Sequence, residues 1–220
     1  MLNKFKIFII TVTFFFSSSS LINAKNFPLG YPECWQDSKN PIVLNPKSTN
    51  QFCPLNSKLG HKFFLVDFTS PLKLAQVDWI KGRIFGDTLV KTTPPYHKIS
   101  YMKIDDTPPQ SQVISYSKCR AKTGDKSKFD GEETNSGCEG GKQIKEVFDA
   151  WKVLNAKFEN NFIKANKIEG KQSLIFEYFF HVLREAKVDF TSDYPERELF
   201  IVSDLMQYSK RFSFYNHCKT

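Results

Sequence analysis

The sequence predicts an α/β fold: an open, mostly parallel sheet with helices on both faces and an antiparallel pair of strands at one edge. Three observations carry that expectation. Residues 62–66 and 199–202 are short apolar runs without alternation, as in strands buried on both faces. Between them stand stripes of apolar residues at helical spacing. Of the 220 residues, 40% are hydrophobic and 25% charged, which supports a real core and argues against wholesale disorder. The length suits one domain with an appendage.

The chain opens with Lys4 and Lys6, an apolar stretch over 7–16, four serines and Ile22-Asn23-Ala24. Ten apolar residues are too few to cross a hydrocarbon core of ~30 Å as a helix. The layout is that of a secretory signal peptide, residues 1–24, cut after Ala24. It places the mature chain outside the cytoplasm, in the periplasm or the extracellular space. No second run is long enough for a membrane span. Residues 25–60 carry Pro28, Pro32, Pro41, Pro46 and Pro54, and read as an extended, Pro-rich lead-in.

The strand at 62–66 ends in Asp67-Phe68-Thr69-Ser70-Pro71. Leu74, Val77, Ile80, Ile84 and Leu89 then recur at helical spacing, with Pro71 suited to the first turn. Residues 97–104 and 112–116 read as the antiparallel edge pair, joined by a turn at 105–109. Residues 117–142 are polar and read as a surface loop. Ile144, Val147, Phe148, Trp151, Leu154, Phe158 and Phe162 form one helical stripe. Ser173 reads as the N-cap of a further helix over 174–186. The strand at 199–202 ends in Ser203-Asp204. Core packing is the expected use of most of the 22 phenylalanines.

An oxidising compartment favours disulfides among the five cysteines. None lies in a C-x-x-C element and no histidine pair has zinc spacing. Cys34 with Cys53 and Cys119 with Cys138 would each close a loop of about twenty residues, worth roughly 3 kcal/mol per loop. Sequence leaves the connectivity open, buried free thiols being the alternative, and Cys218 is the odd one out. The net charge of +8 favours solubility and some attraction to anionic surfaces. Basic residues form no aromatic-interleaved patch, so no nucleic-acid partner is expected.

In open α/β sheets ligands gather beyond the carboxyl ends of the strands. Asp67 with Thr69, and Asp204 with Ser203, stand at two such ends, and Ser173 opens the helix before the second. An all-oxygen set of this kind suits a hard cation such as Mg²⁺ or Mn²⁺. The plain alternative is a set of caps and turn residues bonded locally, in a metal-free scaffold.

Taken together, these residues resemble a von Willebrand factor A-type domain, and more closely its degenerate secreted bacterial relatives. That family has Asp-x-Ser-x-Ser after its first strand, a threonine at a later helix and an aspartate after the fourth strand, forming a metal-ion-dependent adhesion site. Asp67 matches the first aspartate, Thr69 stands for the first serine, Ser173 for the threonine and Asp204 for the last aspartate. Ser70, Ser203 and Glu177 are expected just behind them. Pro71 falls at the second serine and supplies no ligand, so the resemblance implies a weakened or lost cation site. It covers roughly residues 61–215 and implies a secreted, non-enzymatic module that binds an unknown protein partner.

A complete A-type domain has two more strands after the one ending at Val202, which the remaining residues cannot supply. The domain over 61–217 is therefore expected to be incomplete at its C-terminus, as a truncated product or a fold finished by a partner. The strand ending at Val202 is then expected to be an exposed edge.

The rival enzymatic reading is a Mg²⁺-dependent phosphatase of haloacid-dehalogenase type with Asp67 as nucleophile. It needs Asp-x-Asp, and Thr69 takes the second position. His61, His97, His181 and His217 are scattered, and Glu177 with His181 reads as an ordinary helix-face pair. No Walker, G-x-G-x-x-G or G-x-S-x-G element occurs.

Overall fold

The computed structural model describes residues 8–13, 47–55, 57–70, 72–123, 141–164, 172–185 and 188–203. Four strands after the lead-in form an open mixed sheet: β2 (Gly60–Asp67), β3 (Lys98–Ile104), β4 (Tyr116–Cys119) and β5 (Glu196–Ser203). Within the predicted leader, β1 (Phe8–Thr13) runs antiparallel along β5, giving the order β1-β5-β2-β3-β4. Thus the outer edge of β5, expected to be exposed, is occupied by the chain's own N-terminal segment. β2 lies parallel to both β3 and β5, and β3–β4 is an antiparallel edge pair, its second strand at 116–119 where 112–116 was expected, so the start of the expected surface loop is strand instead.

Strand β2 explains the two-layer core. Its residues alternate between faces and are buried on both. Phe64 and Val66 join one cluster with Ile80, Leu89, Tyr101, Trp151 and Phe162. Phe63 and Leu65 join the other with Met102, Ile104, Ile175, Tyr178, Val182, Leu199 and Ile201. An aromatic row crosses the sheet, Phe200 stacked on Phe64 at 4.8 Å and Phe64 on Tyr101 at 4.9 Å. Those residues are register neighbours, so the stacking follows from strand pairing.

The first cluster lies under α1 (Leu74–Ile84), α2 (Gly86–Thr92) and α3 (Gly141–Lys164). The stripe from Leu74 to Leu89, expected as one helix, is two. Phe85 between them is extended and 1% exposed, and Gly86 sits at φ 59°, a conformation an L side chain resists. The second cluster lies under α4 (Ile175–Arg184). Phe52 and Cys53 from the lead-in belong to the first cluster. Pro71, Asp204 and all that follows Asp204 lie outside the described residues.

Candidate functional site

Asp67 ends β2, and three stretches of chain meet its carboxylate. Thr69 donates its backbone N–H (2.9 Å) and its hydroxyl (2.6 Å) to Oδ1. This is the local turn that an Asp-x-Thr sequence favours. Ser203, the last residue of β5, donates to Oδ2 at 2.7 Å. It reaches because Val66 and Val202 are register partners, so Asp67 and Ser203 leave the sheet side by side. Ser173, just before α4, donates to the same oxygen at 3.1 Å. Asp67, Ser173 and Ser203 are 8%, 6% and 8% exposed. All four donors are neutral, and among the described residues no lysine, arginine or histidine pairs with Asp67.

Thus Asp67, Thr69 and Ser173 converge as expected. Ser203 is a direct partner, closer than its expected place behind the set. Ser70 is exposed and Glu177 half-buried, and neither bonds to Asp67. Asp204 lies outside the described residues. Ser173 does not cap α4: Leu174 holds the cap position without a side-chain bond, and the Ser173 hydroxyl is turned to the carboxylate. A hydrogen bond to a charged group outweighs a neutral cap bond.

The turn expected at 105–109 holds a second carboxylate cluster of the same kind beside the first, which the sequence reading did not single out. Asp105 follows β3, and Thr107 donates its backbone N–H and hydroxyl to Asp105 Oδ1. Gln112 and Tyr178 donate to it as well. The signal was present: Asp105-Asp106-Thr107 repeats the Asp-x-Thr spacing of Asp67-Phe68-Thr69.

The opposite end of the sheet holds a polar network that the sequence did not announce. Lys98 opens β3 and is 2% exposed, yet its Nζ donates to Asp189 Oδ2 (2.5 Å) and Asn50 Oδ1 (2.8 Å). Lys58 and Tyr194 donate to the same Asp189 carboxylate, each within 3 Å. Burial opposes the Asp189 charge, but the hydrogen bonds from Lys98, Lys58 and Tyr194 prevail and hold its carboxyl at about 2. Asp189 sits at φ 56°, in the left-handed region.

His61 Nδ1 donates to the Asp189 carbonyl at 3.1 Å, so its Nε2 accepts from Ser100 Oγ at 2.8 Å, with Ser117 Oγ beyond at 2.9 Å. Burial, then the nearby Lys98 charge, lowers His61 to about 3. Ser100 is 0% exposed, so this Ser–His pair is sealed from any substrate. Gly60 opens β2 against the His97 ring; a Cβ there would lie 2.2 Å from the imidazole.

The disulfide at this end joins Cys53 to Cys119, 66 residues apart. The expected local pairings Cys34/Cys53 and Cys119/Cys138 are therefore replaced by one long-range bond. Its cause is placement: Cys119 N–H donates to the Gln51 carbonyl at 2.9 Å, laying the lead-in across the start of β3 and the end of β4. Cys34 and Cys138 lie outside the described residues. A pocket of about 240 Å³ opens beside the disulfide, between Lys58, Leu59, Tyr96 and Tyr194. Among the described residues no group of three His, Cys, Asp or Glu side chains is gathered for a metal, and no helix is long and apolar enough to cross a membrane.

No known family, curated protein or solved structure matches the chain.

Proposed function

We propose that the chain is an exported, non-catalytic binding module of von Willebrand A type, with its ligand site at the Asp67 cleft. One buried carboxylate surrounded by hydroxyls from three stretches of backbone, with no basic partner among the described residues, supports this. Each hydroxyl oxygen keeps lone pairs, and a divalent cation would supply the positive charge that the cleft lacks. Asp67, Thr69 and Ser173 would hold the ion directly or through water, with Ser203 alongside and Asp204 next in sequence. An acidic side chain of a protein partner would complete the coordination. Export rests on the leader-like N-terminus and agrees with a Cys53–Cys119 disulfide.

The test is titration of the mature chain with Mg²⁺ and Mn²⁺, read as a shift in unfolding temperature. A saturable rise that Asp67→Asn abolishes is the expected result. No rise with either ion, together with a silent Asp67→Ala, overturns it.

One observation favours a second reading. The Asp67 carboxylate already accepts four hydrogen bonds, so the cleft can serve as a metal-free pin joining β2, β5 and the entry to α4. The phosphatase alternative gains nothing: Thr69 stands at the second acid's position, and its hydroxyl is committed to Asp67.

A further inference from the structure

We infer that the outer edge of β5 is a strand-accepting surface, which a partner protein fills with an uncharged extended segment once residues 1–24 are removed, and which rests on the export proposed for this chain. Among the described residues only β1 lies along that edge, antiparallel, with Phe8 to Thr13 opposite Ser203 to Glu198. β1 falls wholly inside the predicted leader. Its removal would take away the strand that pairs with the outward-facing backbone N–H and C=O groups of six β5 residues. An open edge of that length is a template for another strand.

The chemistry of the occupant follows from β5 itself. Leu199 and Ile201 belong to the core cluster on one face of the sheet, and Phe200 and Val202 pack in that on the other. A strand laid beside them extends both layers, so its side chains must be apolar on both faces. β1 has that composition: Phe8, Ile9, Ile10, Thr11, Val12 and Thr13 are all aromatic or β-branched, and none is charged. Glu196 and Arg197, the charged start of β5, lie beyond the six paired positions. A second β5, antiparallel over its full length, would set Glu196, Arg197 and Glu198 against Ser203, Val202 and Ile201. Charge laid on the apolar half disfavours that pairing, so the occupant is a partner's uncharged strand and not another copy of this chain. Its affinity comes from main-chain hydrogen bonds and needs no cation, which separates it from the role proposed for Asp67.

The probe is a labelled synthetic peptide of residues 6–14 with a lysine tail, titrated against the mature chain by fluorescence anisotropy and followed by amide hydrogen exchange. Saturable one-to-one binding is expected. Successive N–H groups of a strand point to opposite sides, so Ile10→Pro with Thr11→Pro removes one that faces β5 and should weaken binding on the order of tenfold or more. Along β5 the N–H groups likewise alternate between β2 and the edge. In the mature chain alone the edge set over 198–203 should exchange fast, and peptide at ten times its Kd should slow it about tenfold, while the β2 set stays slow throughout. Edge amides already slow at every dilution overturn the proposal, because the chain then closes its own edge. Edge amides slow only in concentrated solution overturn it in favour of a second copy. So does a peptide that fails to bind, or one that binds as well with both prolines. The mass of the chain recovered after export separates the two readings. A chain that begins at Lys25 and fails these tests ends this proposal alone, whereas one that retains residues 8–13 ends it together with the leader reading.

Discussion

At the amino end of the sheet the carboxylate of Asp189 is met by two lysines and a tyrosine. At the carboxyl end that of Asp67 is met by two serines and a threonine. Both sites draw on distant stretches of chain, and both join strands to the segments that precede or follow them. They differ in charge. Lys98 and Lys58 both meet Asp189, and Lys58 also pairs with Asp193, so that end is a balanced ionic network of two lysines and two acids, further closed by the Cys53–Cys119 bond. The Asp67 carboxylate, among the described residues, is met only by dipoles. A balanced network is costly to unbalance, whereas a lone acid among dipoles has room for an added cation. The amino end is therefore expected to weigh more in stability, and the carboxyl end is where the proposed binding would take place.

Removing the disulfide gives the largest expected effect. Cys53→Ser with Cys119→Ser releases a 66-residue separation and should cost roughly 4 kcal/mol in urea unfolding. A loss under about 1 kcal/mol would mean that the lead-in is held by other contacts. Next is Asp189→Asn, which keeps a residue tolerant of the left-handed backbone but leaves Lys98 buried without its counter-charge. About 3 kcal/mol should be lost, and adding Lys98→Met should restore a good part of it. If the double variant is no better than the single one, the balance of charge is not what matters there.

The histidines sharpen the same contrast through pH. Burial, followed by the Lys98 charge for His61 and the Lys62 charge for His97, holds them at about 3 and about 4. Unfolded, both titrate near 6.5. The folded chain keeps them neutral while the unfolded chain takes up protons, so their contribution is complete above about pH 6.5 and is lost as pH falls toward 4 and then 3. Urea midpoints at pH 7, 5 and 4 should decline by up to about 1.4 kcal/mol per pH unit for each histidine. A flat profile would place both rings in contact with water. The smallest effect is expected from Asp67→Asn without added cation: about 1 kcal/mol, since only hydrogen bonds change. A loss as large as that of Asp189→Asn would erase the distinction between the two ends.

How much of this was legible depended on whether the signal was local. β2 and β5 announced themselves as apolar runs, and α3 as an apolar stripe, because burial on two faces or on one sets the residue period directly. Asp67, Thr69 and Ser173 were legible because strand ends and helix entries can be located from the same periods. The role of Ser173 was not, since its choice between a local N–H and a distant carboxylate is decided by tertiary placement. The disulfide was misassigned for a related reason. Spacing favours near cysteines, but β3–β4 pairing and the path of the lead-in bring Cys53 to Cys119. Lys98 and His61 carry no sequence mark: both stand at strand starts where a polar residue is ordinary, and only the fold reveals that they are buried.

The Cys53–Cys119 bond has a consequence for how this chain would meet a protease. A single nick anywhere between those two positions, for instance in the stretch joining α1 to β3, would leave both pieces in one covalent body. Such a molecule would migrate as intact under non-reducing electrophoresis and fall into two bands once a thiol reductant is added.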